Sequence, residues 1–187
     1  MPSPGKRSMP LRRLCLDAML LSAALLLSYL EVILPLTVWI PLPGFKLGLA
    51  NIMVTFAFVA VSPRDAAVIS LSRILLMGLL FGNAASLMFS LCGGLLSYAG
   101  LWLFVYAGKR IFSMIGVSVG CAALHNFGQL VAAAVVFGTG TILSYLPMLL
   151  VAALAYGTVT GVLLQLLLPR FEQIKQYIWG GYGEKRL

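Results

Sequence analysis

The stretch that decides the fold is Glu31-Val-Ile-Leu-Pro35, continued by Pro41-Leu-Pro43-Gly-Phe-Lys46-Leu-Gly48-Leu-Ala-Asn51. It lies between two long apolar runs, and its prolines interrupt any regular helix. It also brings a carboxylate, an ammonium and an amide into a chain with few charges. Irregular backbone at membrane depth must be buried in protein or line a cavity, and ionisable groups there need partners or water. We therefore predict that this stretch forms the lid, over residues 35–46, and part of the wall of a ligand pocket.

Composition places the chain in a membrane. Of its 187 residues, 61% are hydrophobic and only 10% are charged, whereas a soluble domain carries about 25% charged residues. Since a spanning helix takes about 20 residues, we predict an all-α integral membrane protein, a compact bundle of six transmembrane helices. Its predicted parts are a basic N-terminus (1–13), the six-helix domain (14–168) and a basic tail (169–187).

The basic residues orient the predicted bundle. The predicted spans are 14–34, 47–61, 66–81, 84–107, 112–137 and 142–168, with a kink at Pro147 and an end at Pro169. Eleven of the 13 basic residues then fall on one side; Lys46 falls on the other and Arg73 lies within a span. The positive-inside rule predicts that both termini are cytoplasmic, in a bacterial cytoplasmic membrane. Because orientation explains the net charge of +8, no nucleic-acid partner is expected.

Polar residues from several segments converge on the outer half of the predicted bundle. Helical rise of about 1.5 Å per residue sets their depths. Polar groups inside membranes are costly and tend to mark function, so we predict a small-molecule binding site here. Each residue also has a simpler reading: the histidine as packing, the amides as interhelical hydrogen bonds, and the two charges as an ion pair at the rim. The predicted site residues are Glu31, Lys46, Asn51, Asn83, His125, Asn126 and Gln129.

Arg73 is predicted to lie deeper, two turns into the third span from the cytoplasmic side. It either extends its guanidinium inward to the headgroups, or reaches a polar partner or an anionic ligand within the bundle. No carboxylate is expected at its own depth.

Small residues recur four positions apart in several spans, which lets helices approach closely. They serve either packing inside the bundle or a docking face for a partner membrane protein. The pairs are Gly78 and Gly82, Gly116 and Gly120, Gly157 and Gly161, Ala18 and Ser22, and Ala24 and Ser28.

Motifs of catalysis and of nucleotide or metal binding are missing from the sequence. The five acidic residues form no paired acid and base and no DDxxD-like cluster. The sequence also has no GxxxxGK[ST] loop. Cys121 and His125 lie one turn apart, but two ligands do not make a metal site. We therefore expect no enzymatic activity of the chain alone, no metal and no cofactor.

Four stretches together resemble the Gx transporter family, also labelled heptaprenyl diphosphate synthase component I. They are Pro43-Gly-Phe-Lys-Leu-Gly-Leu-Ala-Asn51, Arg73 with Phe81-Gly82-Asn83, Phe89-Ser-Leu-Cys-Gly-Gly94, and His125-Asn126-Phe-Gly-Gln129. The resemblance extends from the first predicted span to the last.

The resemblance implies similarity to the S components of energy-coupling-factor transporters. Such proteins are compact six-helix bundles with a ligand site near the outer face, and they dock on a membrane subunit driven by two ATPases. Small residues on the first span commonly form the docking face, which corresponds here to Ala18 and Ser22. The synthase label implies instead a subunit of an isoprenoid enzyme, although the chain lacks the carboxylates of that chemistry.

Two functions follow as expectations. The first is a substrate-binding membrane subunit for uptake of a small vitamin-like or cofactor-precursor solute, working with an energising transmembrane subunit and ATPases. The alternative is a membrane subunit of isoprenoid or quinone metabolism, or of extracellular electron transfer.

Overall fold

The computed structural model describes residues 5–33, 48–107 and 111–179, and all regular structure in these ranges is helical. The prediction of an all-helical protein is therefore confirmed for the described part of the chain. A π-helical segment, Trp102–Ala107, continues α4, and a 3-10 segment, Gly140–Tyr145, precedes α6. The helices are α1 (Gly5–Ile33), α2 (Asn51–Ala60), α3 (Pro63–Phe81), α4 (Ala84–Leu101), α5 (Met114–Phe137) and α6 (Leu146–Trp179).

Local sequence signals fix where several helices begin and end. The side chains of Ser62, Asn83 and Ser113 each accept a hydrogen bond from a backbone N–H in the first turn of α3, α4 and α5. Such caps satisfy donors that have no partner within the helix. At the other end of α5, Gly138 adopts the left-handed conformation with φ of 64°. This conformation is unfavourable for residues with a side chain, so glycine suits the position.

Helices α1 and α3 run parallel, and α2 returns the chain between them. Arg13 in α1 forms an ion pair of 2.6 Å with Asp65 in the first turn of α3. Toward the other ends of these helices, the rings of Tyr29 and Phe81 lie 5.1 Å apart. The end bearing Arg13 and Asp65 also carries Arg64, so basic side chains gather at one end of the bundle.

The later helices continue the alternation in direction. Phe89 near the start of α4 contacts Phe137 at the end of α5, with ring centroids 6.2 Å apart. Gly161 late in α6 lies against Ile115 early in α5, so α5 and α6 are antiparallel. Helix α5 is sandwiched between α4 and α6, its most extensive neighbours, and its middle is therefore buried on several sides.

Close helix packing explains most of the small residues. A Cβ added at Gly157 would lie 2.5 Å from Val119 Cα, and one added at Gly128 would lie 2.7 Å from the Cys92 carbonyl oxygen. Gly78 faces Leu87 and Gly120 faces Phe104 in the same way. For these glycines the packing interpretation is correct, because they face neighbouring helices of the same bundle.

Four helical segments are long and apolar enough to cross a bilayer, as judged over the described residues. They are Arg13–Ile33, Ala84–Tyr106, Met114–Phe137 and Gly140–Gln173. Helix α2, with 10 residues, is only about 15 Å long, and α3 carries Arg64, Asp65 and Arg73. The chain is thus a multi-pass membrane protein, while insertion of all six helices and the cytoplasmic position of both termini stay predictions.

Two predictions drawn from prolines, a helix end and a kink, are wrong. Helix α6 continues through Pro169 to Trp179, whereas the sequence predicted an end at that proline. Pro147 lies in the first turn of α6, where a missing N–H removes no helical hydrogen bond, so it begins the helix rather than kinking it. The predicted second span also shortens to Asn51–Ala60, and the predicted lid over residues 35–46 lies outside the described residues.

Candidate functional site

A buried guanidinium forms the centre of the candidate site. Arg73, on α3, is only 5% exposed. Its Nη2 donates to Asn51 Oδ1 at the start of α2 over 3.0 Å, and its Nη1 donates to Ser28 Oγ on α1 over 3.4 Å. The Glu31 carboxylate on α1 interacts with it electrostatically. Of the two interpretations of Arg73, the structure selects polar partners within the bundle, and the expectation that no carboxylate lies nearby is wrong.

The short turn that leads into α2 is held by the same charged pair. The backbone N–H of Leu49 donates to Glu31 Oε1, and Asn51, two residues later, accepts from Arg73. Gly48 begins the turn with φ of 82°, a conformation that L side chains rarely adopt. A Cβ at Gly48 would also lie 3.1 Å from His125 Cδ2. The turn 48–51 is therefore hydrogen-bonded to α1 and α3 and packs closely against α5.

Helix α5 contributes an imidazole and an amide to the opposite side of the turn. His125 Nε2 and Gln129 Nε2 lie 3.1 Å apart and form a hydrogen bond; both residues are 3% exposed. Residues four apart share one face of a helix, and Gly93 of α4 permits the close approach of that face, since its Cβ would lie 2.8 Å from the His125 carbonyl oxygen. Gln129 Oε1 has no hydrogen-bond partner among the described residues.

Two small cavities flank the turn. One has a volume of about 10 Å³ and is lined by Ser28, Glu31, Gly48, Arg73, Ile74, Met77, Ser90 and His125. The other, of about 20 Å³, lies between α2, α5 and α6 and also touches Gly48. Each has room for about one water molecule. In this closed arrangement, a larger solute can enter only if the turn or neighbouring side chains move.

The structure assembles most, but not all, of the predicted site. Glu31, Asn51, Arg73, His125 and Gln129 come together around the turn 48–51. Of these, Glu31, Arg73 and His125 line the first cavity. Lys46 lies outside the described residues.

Asn126 points elsewhere. Its Nδ2 donates to the Leu149 carbonyl of α6 over 2.9 Å, which fits the interpretation as an interhelical hydrogen bond. Asn126 is the residue after His125, and on a helix adjacent residues point in directions about 100° apart, which is why the sequence grouping misled.

Asn83 also lies away from the cluster. It is exposed, and its Oδ1 accepts from Ser86 N over 2.8 Å as the N-cap of α4. An Asn83→Ala variant is expected to lower the free energy of unfolding by about 1 kcal/mol and to leave solute binding unchanged. Thermal unfolding and a binding titration on the same preparation test this. Loss of binding in a variant of normal stability would return Asn83 to the site.

Ser28 and Ser90 were not predicted as part of the site, whereas Gly48 and Leu49 lie in the stretch that was predicted to form part of the wall. Ser28, Gly48 and the Leu49 N–H contact the charged pair or its cavity, and Ser90 lines the same cavity. Serines and glycines are common in membrane helices, so composition alone gave no signal. The one available signal was Ser28 itself, which lies three residues before Glu31 and so on the same helical face.

The predicted docking pair occupies a different surface. Ala18 and Ser22, on α1, are both exposed, and Ser22 Oγ donates to the Ala18 carbonyl over 2.8 Å. The other small pair of α1, Ala24 and Ser28, is buried. Helix α1 thus presents small residues on two faces, one toward the site and one away from the bundle.

The described residues contain no group of three or more His, Cys, Asp or Glu side chains that could hold a metal ion. Cys15, Cys92 and Cys121 are free thiols. What the arrangement offers chemically is recognition: a guanidinium, a carboxylate, an imidazole and amides lie among apolar helices, as in sites for small organic molecules.

A bundle of long apolar helices with polar side chains gathered inside it defines a multi-pass membrane protein with a buried polar site. A model of the heptaprenyl diphosphate synthase component I family matches residues 20–167, which is well over half of the 187 residues. The chain belongs to this family, and the family resemblance is confirmed. No curated protein and no solved structure matches the chain. The similarity to S components stays a prediction.

Proposed function

We propose that the chain is a substrate-binding membrane subunit that takes up a small polar organic solute, of the vitamin-like or cofactor-precursor kind. The observation that carries the proposal is the buried cluster of Glu31, Arg73, Asn51, His125 and Gln129 around one turn. Burying charges and amides in an apolar bundle is expensive. A buried pair contributes little net stability compared with apolar side chains of similar size, so recognition is the better reason for its presence.

Unsatisfied hydrogen-bonding capacity supports binding at this cluster. Arg73 Nε and Gln129 Oε1 have no hydrogen-bond partner among the described residues, although buried polar atoms normally do. A solute with one acceptor and one donor would satisfy both atoms. Binding then gains free energy from two hydrogen bonds that no described residue makes with these atoms.

Transport in this proposal requires a partner. The sequence has no nucleotide-binding loop of the GxxxxGK[ST] type, so energy would come from an energising membrane subunit and its ATPases. The exposed pair Ala18 and Ser22 on α1 would provide a close-packing surface for that subunit. The gathering of Arg13 and Arg64 at one end of the bundle supports a cytoplasmic position for that end.

A binding experiment tests the proposed site. The purified protein is incubated with a deproteinised small-molecule cell extract, and native mass spectrometry records the bound mass and its occupancy on dilution. His125→Ala and Gln129→Leu are each expected to weaken binding about tenfold or more. In each variant a polar group of the bound solute is buried without its hydrogen-bond partner. Asn126→Ala, in the same helix, is the matched control and is expected to lower stability while retaining binding.

The outcome of this experiment shows whether the buried cluster binds a solute or only stabilises the bundle. If no small molecule binds the wild-type protein, or if folded His125→Ala and Gln129→Leu variants bind as well as the wild type, the cluster is structural and the proposed function is wrong.

A second candidate function takes support from the family name and from one groove. A largely apolar groove of about 200 Å³ lies between α3 and α4, lined by Ala67, Ser70, Leu71, Ile74, Leu91, Gly94, Leu95 and Tyr98. In this alternative the groove holds an isoprenoid chain, and the protein is a subunit of isoprenoid or quinone metabolism or of extracellular electron transfer. Co-purification separates the two: an ATPase pair with a coupling subunit supports uptake, whereas a prenyltransferase or a redox protein supports the alternative.

A further inference from the structure

The second cavity beside the turn 48–51 lies outside the charged cluster. It lies between α2, α5 and α6, and its volume of about 20 Å³ is the larger of the two. Its lining combines hydroxyl groups with apolar side chains, and no charged residue is among them in the described chain. The lining residues are Gly48, Leu49, Asn51, Ile52, Thr55, Ser118, Cys121, Ala122, Tyr156, Gly157, Thr160 and Leu164.

One hydroxyl in this lining is available for a ligand. Ser118 is 5% exposed, and its Oγ has no hydrogen-bond partner among the described residues. Serine within a helix commonly bonds a carbonyl one turn earlier, as Thr160 does here with the Gly157 carbonyl over 3.0 Å. A buried hydroxyl without a partner costs free energy. An oxygen or nitrogen atom inside the cavity would therefore form a favourable hydrogen bond with this hydroxyl.

The walls of this cavity are rigid on the side of α6. Backbone contact between Gly157 and Val119, and between Gly161 and Ile115, leaves no space for even a methyl group between α5 and α6. The cavity therefore cannot widen by a change at this α5–α6 contact, and its other walls are α2 and the turn 48–51, which also borders the charged cluster.

The turn itself is the partition between the two cavities. Gly48 lines both of them, and Asn51 lines the second cavity while its Oδ1 accepts from Arg73, which lines the first. Displacement of this turn would join the two spaces into one chamber with a charged end and an uncharged, hydroxyl-lined end.

We infer that the cavity around Ser118 is a second subsite, which receives an uncharged hydroxyl or carbonyl group of the solute. The solute class is then a molecule with a charged or strongly polar end at Arg73 and Glu31 and a neutral hydrogen-bonding end between α2, α5 and α6. The space suits one water molecule, and a ligand oxygen that reproduces the hydrogen bonds of that water can replace it. The inference rests on the proposed function, because it divides the same site into two ends.

Two substitutions of Ser118 test the subsite, with the small-molecule cell extract as the probe and native mass spectrometry as the readout. Ser118→Ala removes the hydroxyl but keeps the space, and is expected to raise the half-saturating concentration about tenfold. Ser118→Thr keeps the hydroxyl but fills the space with a methyl group, and is expected to weaken binding further. Thr158→Ala, an exposed hydroxyl on α6, is the control and should bind as the wild type does. Thermal unfolding confirms that each variant is folded.

The results separate this inference from the proposed function. If both folded Ser118 variants bind normally while His125→Ala and Gln129→Leu lose binding, the cavity holds only water; the inference is then wrong and the proposed function stands. If the wild type binds nothing from the extract, both are wrong. Weakened binding in both Ser118 variants, with a normal Thr158→Ala control, supports both.

Discussion

Replacing Arg73 by methionine is expected to lower the free energy of unfolding by about 3–5 kcal/mol. Arg73 is 5% exposed, and its guanidinium interacts electrostatically with the Glu31 carboxylate inside the bundle. Methionine keeps much of the side-chain volume but removes this favourable charge interaction with the Glu31 carboxylate. It also removes the donors to Asn51 and Ser28. Thermal or denaturant unfolding in detergent, followed by tryptophan fluorescence, measures the loss.

A double variant separates the buried charge from the lost contacts. In Arg73→Met combined with Glu31→Gln, the charge is gone and the glutamine oxygen can still accept from the Leu49 N–H. We expect most of the stability to return, since replacing both members of a buried pair is often close to neutral. Equal instability of the single and double variants would mean that contacts other than the charge interaction dominate. A fully stable single variant would contradict the buried arrangement of Arg73.

The same double variant is expected to be folded but unable to bind solute. A binding titration on the folded double variant therefore tests whether the charged pair is retained for recognition rather than for stability. Normal binding there would remove Arg73 and Glu31 from the proposed site.

Gly128→Ala is expected to have the second largest effect of the predicted substitutions, lowering the free energy of unfolding by about 1–3 kcal/mol. An added Cβ at Gly128 would lie 2.7 Å from the Cys92 carbonyl oxygen and 2.9 Å from Gly93 Cα. Both are backbone atoms of α4, so no side-chain rotation relieves the clash, and α4 and α5 must separate. Because Gly93 also lies against His125, the separation is expected to weaken solute binding as well.

A glycine in the same helix provides the matched control. At Gly116 the nearest neighbour of an added Cβ is Phe112 Cδ1 at 3.5 Å, an ordinary van der Waals contact. Gly116→Ala should therefore leave the bundle intact and can gain up to about 1 kcal/mol from helix propensity. Unfolding midpoints and binding are compared for both variants. If Gly128→Ala is as stable as Gly116→Ala, the close approach of α4 and α5 is not required.

Much of the architecture could be predicted from the sequence. Apolar runs of spanning length, with turns at Ser62-Pro63 and Gly82-Asn83, identify a helical membrane bundle, because each rule acts on neighbouring residues. The same locality explains the errors. Pro169 was expected to end a span, since proline disfavours helix interiors, yet α6 continues through it to Trp179. The cost of one lost hydrogen bond does not necessarily end a helix whose packing favours continuation.

The candidate site was predicted in kind more than in detail. Depth along each helix correctly grouped Glu31, Asn51, His125 and Gln129, since helical rise fixes height. Height does not fix the direction in which a side chain points, so Asn126 and Asn83 were grouped with them although one contacts α6 and the other caps α4. Arg73 was assigned too deep a position relative to Glu31, because its side chain and the packing of α1 against α3 bring the two charges together.

The sequence by itself determined that this protein is a helical, multi-pass membrane protein whose few polar residues are concentrated near one break in the chain. Composition and helical periodicity are enough for that, since they depend on local chemistry and on the bilayer as solvent. Only the tertiary structure decided that Glu31 and Arg73 fasten the turn 48–51, that Asn51 joins them, and that Ser118 faces a second cavity across the same turn. These contacts depend on how helices far apart in sequence rotate and pack against one another, which no local pattern specifies.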